Sequence, residues 1–196
     1  MRASTFDFMK NSVLCEKYAL EKLFSIMDKE QYEKAVEYLV SSKMTVTSAC
    51  GSSGFTAKKF AHSLCCIECP AKFVPPSEAV HGGMGALKKG NTLILVSKGG
   101  KTDELIPLVS ICKEKQANLI VITANPDSVL AKEADAVLCL PDVKESDRYN
   151  VMSTASFSAT VAIFDALMIG LMEEKNYQLS EFALIHPGGA VGKKIN

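Results

Sequence analysis

Near the start of the chain apolar residues recur every three or four positions. Phe6, Met9, Val13 and Leu14, then Tyr18, Leu20, Leu23, Phe24 and Met27, form one helical stripe. Tyr32, Ala35, Val36 and Leu39 repeat the spacing after Asp28. The pattern predicts two helices within residues 4–42, with Asp28 at the join. From Thr45 the period changes. Short apolar runs at Thr45–Cys50, Ala71–Val74, Thr92–Ser97, Leu119–Thr123 and Ala136–Leu140 read as five strands. Between them lie helical or turn-rich segments. A Gly51–Gly54 turn leads into a helix ending about Cys66, and Ser77 is placed to cap a short helix toward His81. HGGMG is a glycine-rich loop and Lys89-Gly90-Asn91 a turn. Thr102 is placed to cap a helix over Asp103–Glu114, and Asn125–Ser128 reads as a turn and helix cap. A long apolar helix is expected from about Thr154 to Met172.

Strands rich in Val, Ile and Leu, separated by helices, imply a parallel sheet covered on both faces. The expected fold is α/β: a three-layer, doubly wound domain with a five-stranded parallel sheet. Residues 1–42 would form a helical lead-in and 43–196 the core of one domain. In such sheets ligands bind at the carboxyl ends of the strands, where strand order reverses.

Composition narrows the functional classes. The chain has 196 residues, 22 basic and 22 acidic, so its formal net charge is zero. Without a basic excess, neither nucleic acid nor a membrane surface is an expected partner. Charged residues interrupt every apolar run, and MRASTFDFMKNSV lacks the apolar core of a signal peptide, so a cytoplasmic location is expected. Cys15, Cys50, Cys112 and Cys139 sit singly in apolar segments and read as reduced core thiols. Cys65, Cys66 and Cys69, with His62 a turn earlier, form a cluster without the second ligand pair that zinc needs. No metal and no cofactor is expected.

The chemistry is concentrated in SKGGKTDEL, Ser97–Leu105. It joins a strand to a helix through Gly99-Gly100, whose N–H groups are expected to point outward at an anion. Lys101 adds a positive charge there. A nucleotide P-loop is excluded, because its opening glycine would fall on Leu95, and the spacing of a dinucleotide fingerprint is absent. The turn after the first strand is also rich in Ser and Gly, and the repetition is better evidence for an anion site than either turn alone.

The order of motifs resembles the sugar isomerase (SIS) domain, in particular its arabinose-5-phosphate isomerase branch, from about Val46 to Lys194. The resemblance rests on His81-Gly82 with Gly85, the Ser97…Gly100…Thr102 frame with Glu104-Leu105, Val143–Glu145, and HPGGAVG over His186–Gly192. It implies a phosphosugar ligand at the ends of the first and third strands, and homodimers or homotetramers whose sites borrow residues between subunits. The chain departs from the family at several points. The family's first-loop lysine is Ser52 here, the middle serine of the second loop is Gly99, and the acidic residue of that loop is Lys101. The aspartate of HGD is Gly83. Of the residues proposed for catalysis in the family, Glu145 and His186 are the counterparts recognised.

Aldose–ketose isomerisation moves a proton between C1 and C2 through an enediol. Glu145 is the candidate base, with a pKa raised by desolvation. His186 is the candidate for ring opening or proton relay, and His81 for contact with the sugar or a neighbouring subunit. Ser52, Ser53, Ser97 and Thr102, with the backbone of Gly99 and Gly100, are the candidate phosphate ligands. Lys101 is expected to touch phosphate or sugar, or to neutralise Glu145, and Lys98 to face solvent. Asp165 is expected to cap a neighbouring element or pair with a lysine at an interface. Two functions follow: an isomerase of pentose or hexose phosphates, or a non-catalytic module that senses or carries a phosphosugar or nucleotide sugar.

Overall fold

The computed structural model describes residues 4–195. Residues 1–3 and 196, part of the domain span expected from sequence, lie outside the described residues. Helix α1 (Thr5–Ile26) opens with a capping box: the Ser4 hydroxyl accepts from the Asp7 N–H while the Asp7 carboxylate accepts from the Ser4 backbone. The Asp28 side chain caps α2 (Lys29–Ser41) through the Gln31 N–H. There follow β1 (Thr45–Ala49), α3 (Gly51–Cys65), β2 (Ala71–Phe73), α4 (Pro76–Ala79) and a 3-10 turn at Gly83–Ala86. Next come β3 (Thr92–Val96), a second 3-10 turn at Asp103–Leu105, α5 (Ile106–Glu114), β4 (Asn118–Thr123), α6 (Val129–Lys132) and β5 (Ala136–Cys139). The chain continues through α7 (Ala155–Glu174), α8 (Leu179–Ile185) and α9 (Gly189–Ile195).

All four strand pairings are parallel, in the order β2-β1-β3-β4-β5. Alternate side chains leave opposite faces of each strand. Ile94 and Val96 therefore join the core under α2, α3 and α7, while Leu93 and Leu95 join the core under α5 and α6. Phe60 of α3 stacks on Phe164 of α7, ring centroids 4.2 Å apart. Polar residues inside the sheet are paired where a carbonyl is in reach: the Thr47 hydroxyl donates to Ala57 O and the Thr92 hydroxyl to Tyr38 O. Among the described residues α7 has the length and apolar composition of a membrane span, but Ala159, Ile163, Phe164, Leu167 and Leu171 are buried against the rest of the domain. Lys59 and Asp165 form an ion pair between α3 and α7, so the lysine partner expected of Asp165 lies within the chain.

Three local expectations are corrected. Ser77 lies inside α4 rather than capping it, because Pro75-Pro76 already starts the helix, with Pro76 in the first turn where its missing N–H costs nothing. The segment after Thr102 is a 3-10 turn followed by α5, since Pro107 fits only near the beginning of an α-helix. Cys112 is fully buried and burial pushes its thiol up to about 12, as for an inert core thiol. Cys15 and Cys139 are half-buried, and Cys50 lies at the mouth of a cavity rather than in the core.

Candidate functional site

Strand order reverses between β1 and β3, and the two glycine-rich loops leave the sheet side by side at that point. The second loop is closed on itself. The hydroxyls of Ser97 and Thr102 lie 2.7 Å apart, and the Gly100 N–H donates to both the carbonyl and the hydroxyl of Ser97. The outward-pointing Gly100 amide expected from sequence is therefore not found. Among the described residues the N–H groups of Gly99, Lys101 and Thr102 have no hydrogen-bond partner. The Thr102 side chain, turned toward Ser97, does not cap the following turn.

Gly100 makes this closure possible. Its φ is +66°, and a Cβ there would lie 1.9 Å from Ser128 Oγ and 2.9 Å from Thr123 Oγ1. Ser128 cannot simply rotate away, because its hydroxyl caps α6 through the Ala131 N–H.

The first loop is the opening turn of α3 itself. Its N-cap residue, Cys50, makes no side-chain cap. The N–H groups of Gly51, Ser52 and Ser53 and the hydroxyls of both serines have no hydrogen-bond partner among the described residues. A Cβ on Gly54 would approach Ala49 O to 3.1 Å, so glycine lets α3 start hard against the end of β1. A cavity of about 420 Å³ opens here, lined by Cys50, Gly51, Phe55, Lys58, Pro75 and Glu104 among others. Glu104 is the residue that sequence reasoning missed. It stands two positions after Thr102, and burial together with the Glu104 charge pushes the Cys50 thiol up.

Glu145 is only 6% exposed, in keeping with the expected desolvation, but its titration and its lysine partner differ from expectation. Its carboxylate accepts from Lys98 Nζ at 2.6 Å, from the Thr154 and Ser156 N–H groups at 2.9 and 3.2 Å, and from the hydroxyls of Thr154 and Ser156. Burial alone would raise its pKa. The hydrogen bonds from Lys98, Ser156 and the Thr154 backbone outweigh burial and hold the carboxyl at about 2. The raised pKa expected of a base is thus reversed. The lysine that neutralises Glu145 is Lys98, not Lys101, which is exposed and makes no ion pair among the described residues.

The Glu145 segment is held from outside as well. The Asn150 side chain accepts from the Glu145 N–H, and Asp147 accepts from the N–H groups of Tyr149, Val151 and Met152. Helix α1 braces it: Lys22 Nζ donates to Asp142 O, Cys15 Sγ to Lys144 O, and Ser146 Oγ to Ser12 O.

A pH dependence follows. A carboxyl depressed from 4.5 to about 2 on folding contributes stability that is fully present above pH 4.5 and is lost as the pH falls toward 2. At about 1.36 kcal/mol per unit the contribution is on the order of 3 kcal/mol. Chemical denaturation at pH 3 and pH 6 will show this loss in the unaltered protein, and a smaller pH dependence in Glu145→Gln.

The histidines are not brought to this site. His81 is exposed beyond the far end of α4 and does not line the cavity. His186 ends α8, its ring stacked on Phe182 at 3.7 Å and its Nδ1 3.0 Å from Phe182 O. It lines a separate cavity with His62, Cys65 and Cys66 at the opposite end of α3 from Gly51, roughly 20 Å along a helix of that length. His62 Nε2 lies 3.6 Å from Cys66 Sγ, and no three described His, Cys, Asp or Glu residues are grouped to hold a metal ion.

The sheet order defines a doubly wound α/β domain with two glycine-rich loops at its β1/β3 switch point. The chain belongs to the SIS domain family, whose model matches residues 38–170. It is 36% identical over 178 residues to the arabinose 5-phosphate isomerase KpsF of Escherichia coli, covering 90% of this chain and 54% of that protein. Against the arabinose 5-phosphate isomerase KdsD of Francisella tularensis it is 37% identical, covering 90% of this chain and 55% of that protein. The chain thus spans about half the length of the curated relatives it matches. Among solved structures, a Listeria monocytogenes protein provisionally assigned as a sugar-phosphate isomerase superposes with a TM-score of 0.90 at 42% identity, covering 95% of this chain and all of that one. An Escherichia coli protein solved in complex with arabinose 5-phosphate superposes at 0.81 and 26% identity, covering 94% of this chain and all of that one.

Proposed function

We propose that this domain is an aldose–ketose isomerase of sugar phosphates, acting on arabinose 5-phosphate or a related pentose or hexose phosphate. One observation carries the reading: the Ser97–Thr102 loop and the uncapped start of α3 follow the neighbouring strands β3 and β1, and a cavity lined by Glu104 opens beside the start of α3. The names of the relatives and the sugar-phosphate complex of a structural neighbour support it.

The phosphate takes the N–H groups of Gly99, Lys101 and Thr102, with Ser97, Ser52 and Ser53, and the exposed Lys101 ammonium balances its charge. Unpartnered amides at the ends of two neighbouring strands suit an oxyanion. Glu104 lines the cavity and is the proposed base, in place of Glu145, whose hydrogen bonds keep it a poor proton acceptor.

The working form is proposed to be a homodimer or homotetramer. Phe6, Met9, Val13 and Phe24 leave α1 with an exposed apolar face, Phe24 at 82% exposure. Helix α8 buries none of its residues on its own chain. His186 and His81 then serve the site of a second copy.

A crystal soaked with arabinose 5-phosphate tests the location. The phosphate is expected on the 97–102 loop beside α3. Density elsewhere, as in the groove between α2 and α7, would overturn the assignment.

A further inference from the structure

The ion pair between Lys98 and Glu145 is not built as a structural bridge is. Glu145 already receives four hydrogen bonds from Thr154 and Ser156, enough to satisfy a buried carboxylate without any cation. The lysine is held by an anchored backbone: its carbonyl accepts from the Ala124 N–H at 2.9 Å and the Thr123 hydroxyl at 3.1 Å. From there the side chain reaches Glu145 Oε1 at 2.6 Å while remaining 42% exposed. Among the described residues Lys98 Nζ has no other partner, so two of its three N–H bonds stay open to an incoming group. The result is an ammonium fixed at its root and tip at the carboxyl end of β3, in the closed loop that precedes Glu104.

Such a group has a use in the proposed reaction. As the base removes the C2 proton, the electron pair of that C–H bond forms the C1–C2 double bond and the carbonyl electrons move to O1. The enediolate oxygen gains a full negative charge. The O2 proton then passes to O1, the base returns its proton to C1, and O2 becomes the ketose carbonyl oxygen. A preoriented donor at O1 stabilises charge that exists only between these two steps, so it lowers the barrier more than it tightens substrate binding.

We infer that Lys98 is the catalytic residue that donates a hydrogen bond to the developing enediolate oxygen, with Glu145 as the positioning residue that holds its ammonium. Lys98 keeps its proton throughout. Lys101, by contrast, lies on the other side of Gly100, is exposed, and belongs to the phosphate.

The inference rests on the isomerase reading, and the test separates the two. Kinetics of Lys98→Met and Lys98→Arg are measured with the sugar phosphate that the unaltered protein converts best among arabinose, ribose, glucose and fructose phosphates. Lys98→Met is expected to lower kcat about 100-fold or more, with KM changed less than about threefold. Lys98→Arg restores at least a tenfold part of the loss, because it returns a cationic donor. Glu145→Gln lowers kcat in the same sense with KM little changed. Undiminished kcat in Lys98→Met overturns the inference and leaves the isomerase standing. A tenfold rise in KM at constant kcat also overturns it and makes Lys98 a ground-state ligand. No conversion by the unaltered protein overturns the isomerase reading and the inference with it.

Discussion

Glu104→Gln will reduce proton exchange at C2 of the substrate by about three orders of magnitude while leaving its affinity within a fewfold of the unaltered protein. Removal of a positioned base costs about 10²–10⁴ in rate, and the amide keeps the shape of the side chain. Glu104 is the carboxylate placed to act in this way. It lines the cavity beside the start of α3, and its charge is felt by Cys50 there. Glu145 is better satisfied and less reachable: five hydrogen bonds converge on it and it is 6% exposed. Exchange measured by NMR in heavy water for both Gln variants distinguishes them. Glu104→Gln is expected to show the larger loss, and Glu145→Gln to retain a slow remnant through an imperfectly held Lys98.

The second large effect is expected at Gly100, where Gly100→Ala will destabilise the protein by about 3 kcal/mol and weaken binding of inorganic phosphate at least tenfold. Two costs add. A non-glycine residue held in the left-handed region costs on the order of 1–3 kcal/mol, and forcing a methyl into a packed site costs a similar amount. The methyl would meet Ser128 and Thr123, and both are committed: Ser128 caps α6 and Thr123 holds the Lys98 carbonyl. Relief therefore moves the 97–102 loop, the element that gathers the phosphate amides. Thermal denaturation should show a fall of about 10 °C, at roughly 2–4 °C per kcal/mol for a chain of this size. Gly99→Ala is the control, since a Cβ there meets only the Lys101 side chain, at 3.9 Å.

These effects arise in parts of the molecule that the sequence discloses unequally. The strands were legible because a parallel sheet buried on both faces demands unbroken Val, Ile and Leu, as in Thr92–Val96 and Leu119–Thr123, and boundaries fell within a residue or two. The two loops were legible as Gly/Ser turns that follow a strand. Their internal bonding was not: whether Gly100 aims its amide at a ligand or at Ser97 depends on a positive φ and on the packing of Ser128 from a later helix. The resemblance offers Glu145 as a base with a pKa raised by desolvation, and its hydrogen-bond partners cannot be seen in the run KESDR. Its carboxylate is enclosed by Lys98, Thr154 and Ser156, and its neighbours Lys144 and Ser146 are tied to Cys15 and Ser12 on α1, more than a hundred residues away. Lys98 and Lys101 are equivalent in composition, and the turn at Gly100 sends one toward α7 and the other to solvent. Glu104 belongs to the frame that carries the resemblance, but only the fold brings it to the cavity beside Cys50.

Whether the domain turns over a sugar phosphate is measured most directly by proton exchange at C2 of arabinose 5-phosphate and a small set of pentose and hexose phosphates, followed by NMR in heavy water with the full chain. An isomerase will place deuterium at C2 of one sugar class and form its ketose. Tight binding of those sugars with no exchange would contradict that assignment and leave a phosphosugar-binding module in its place.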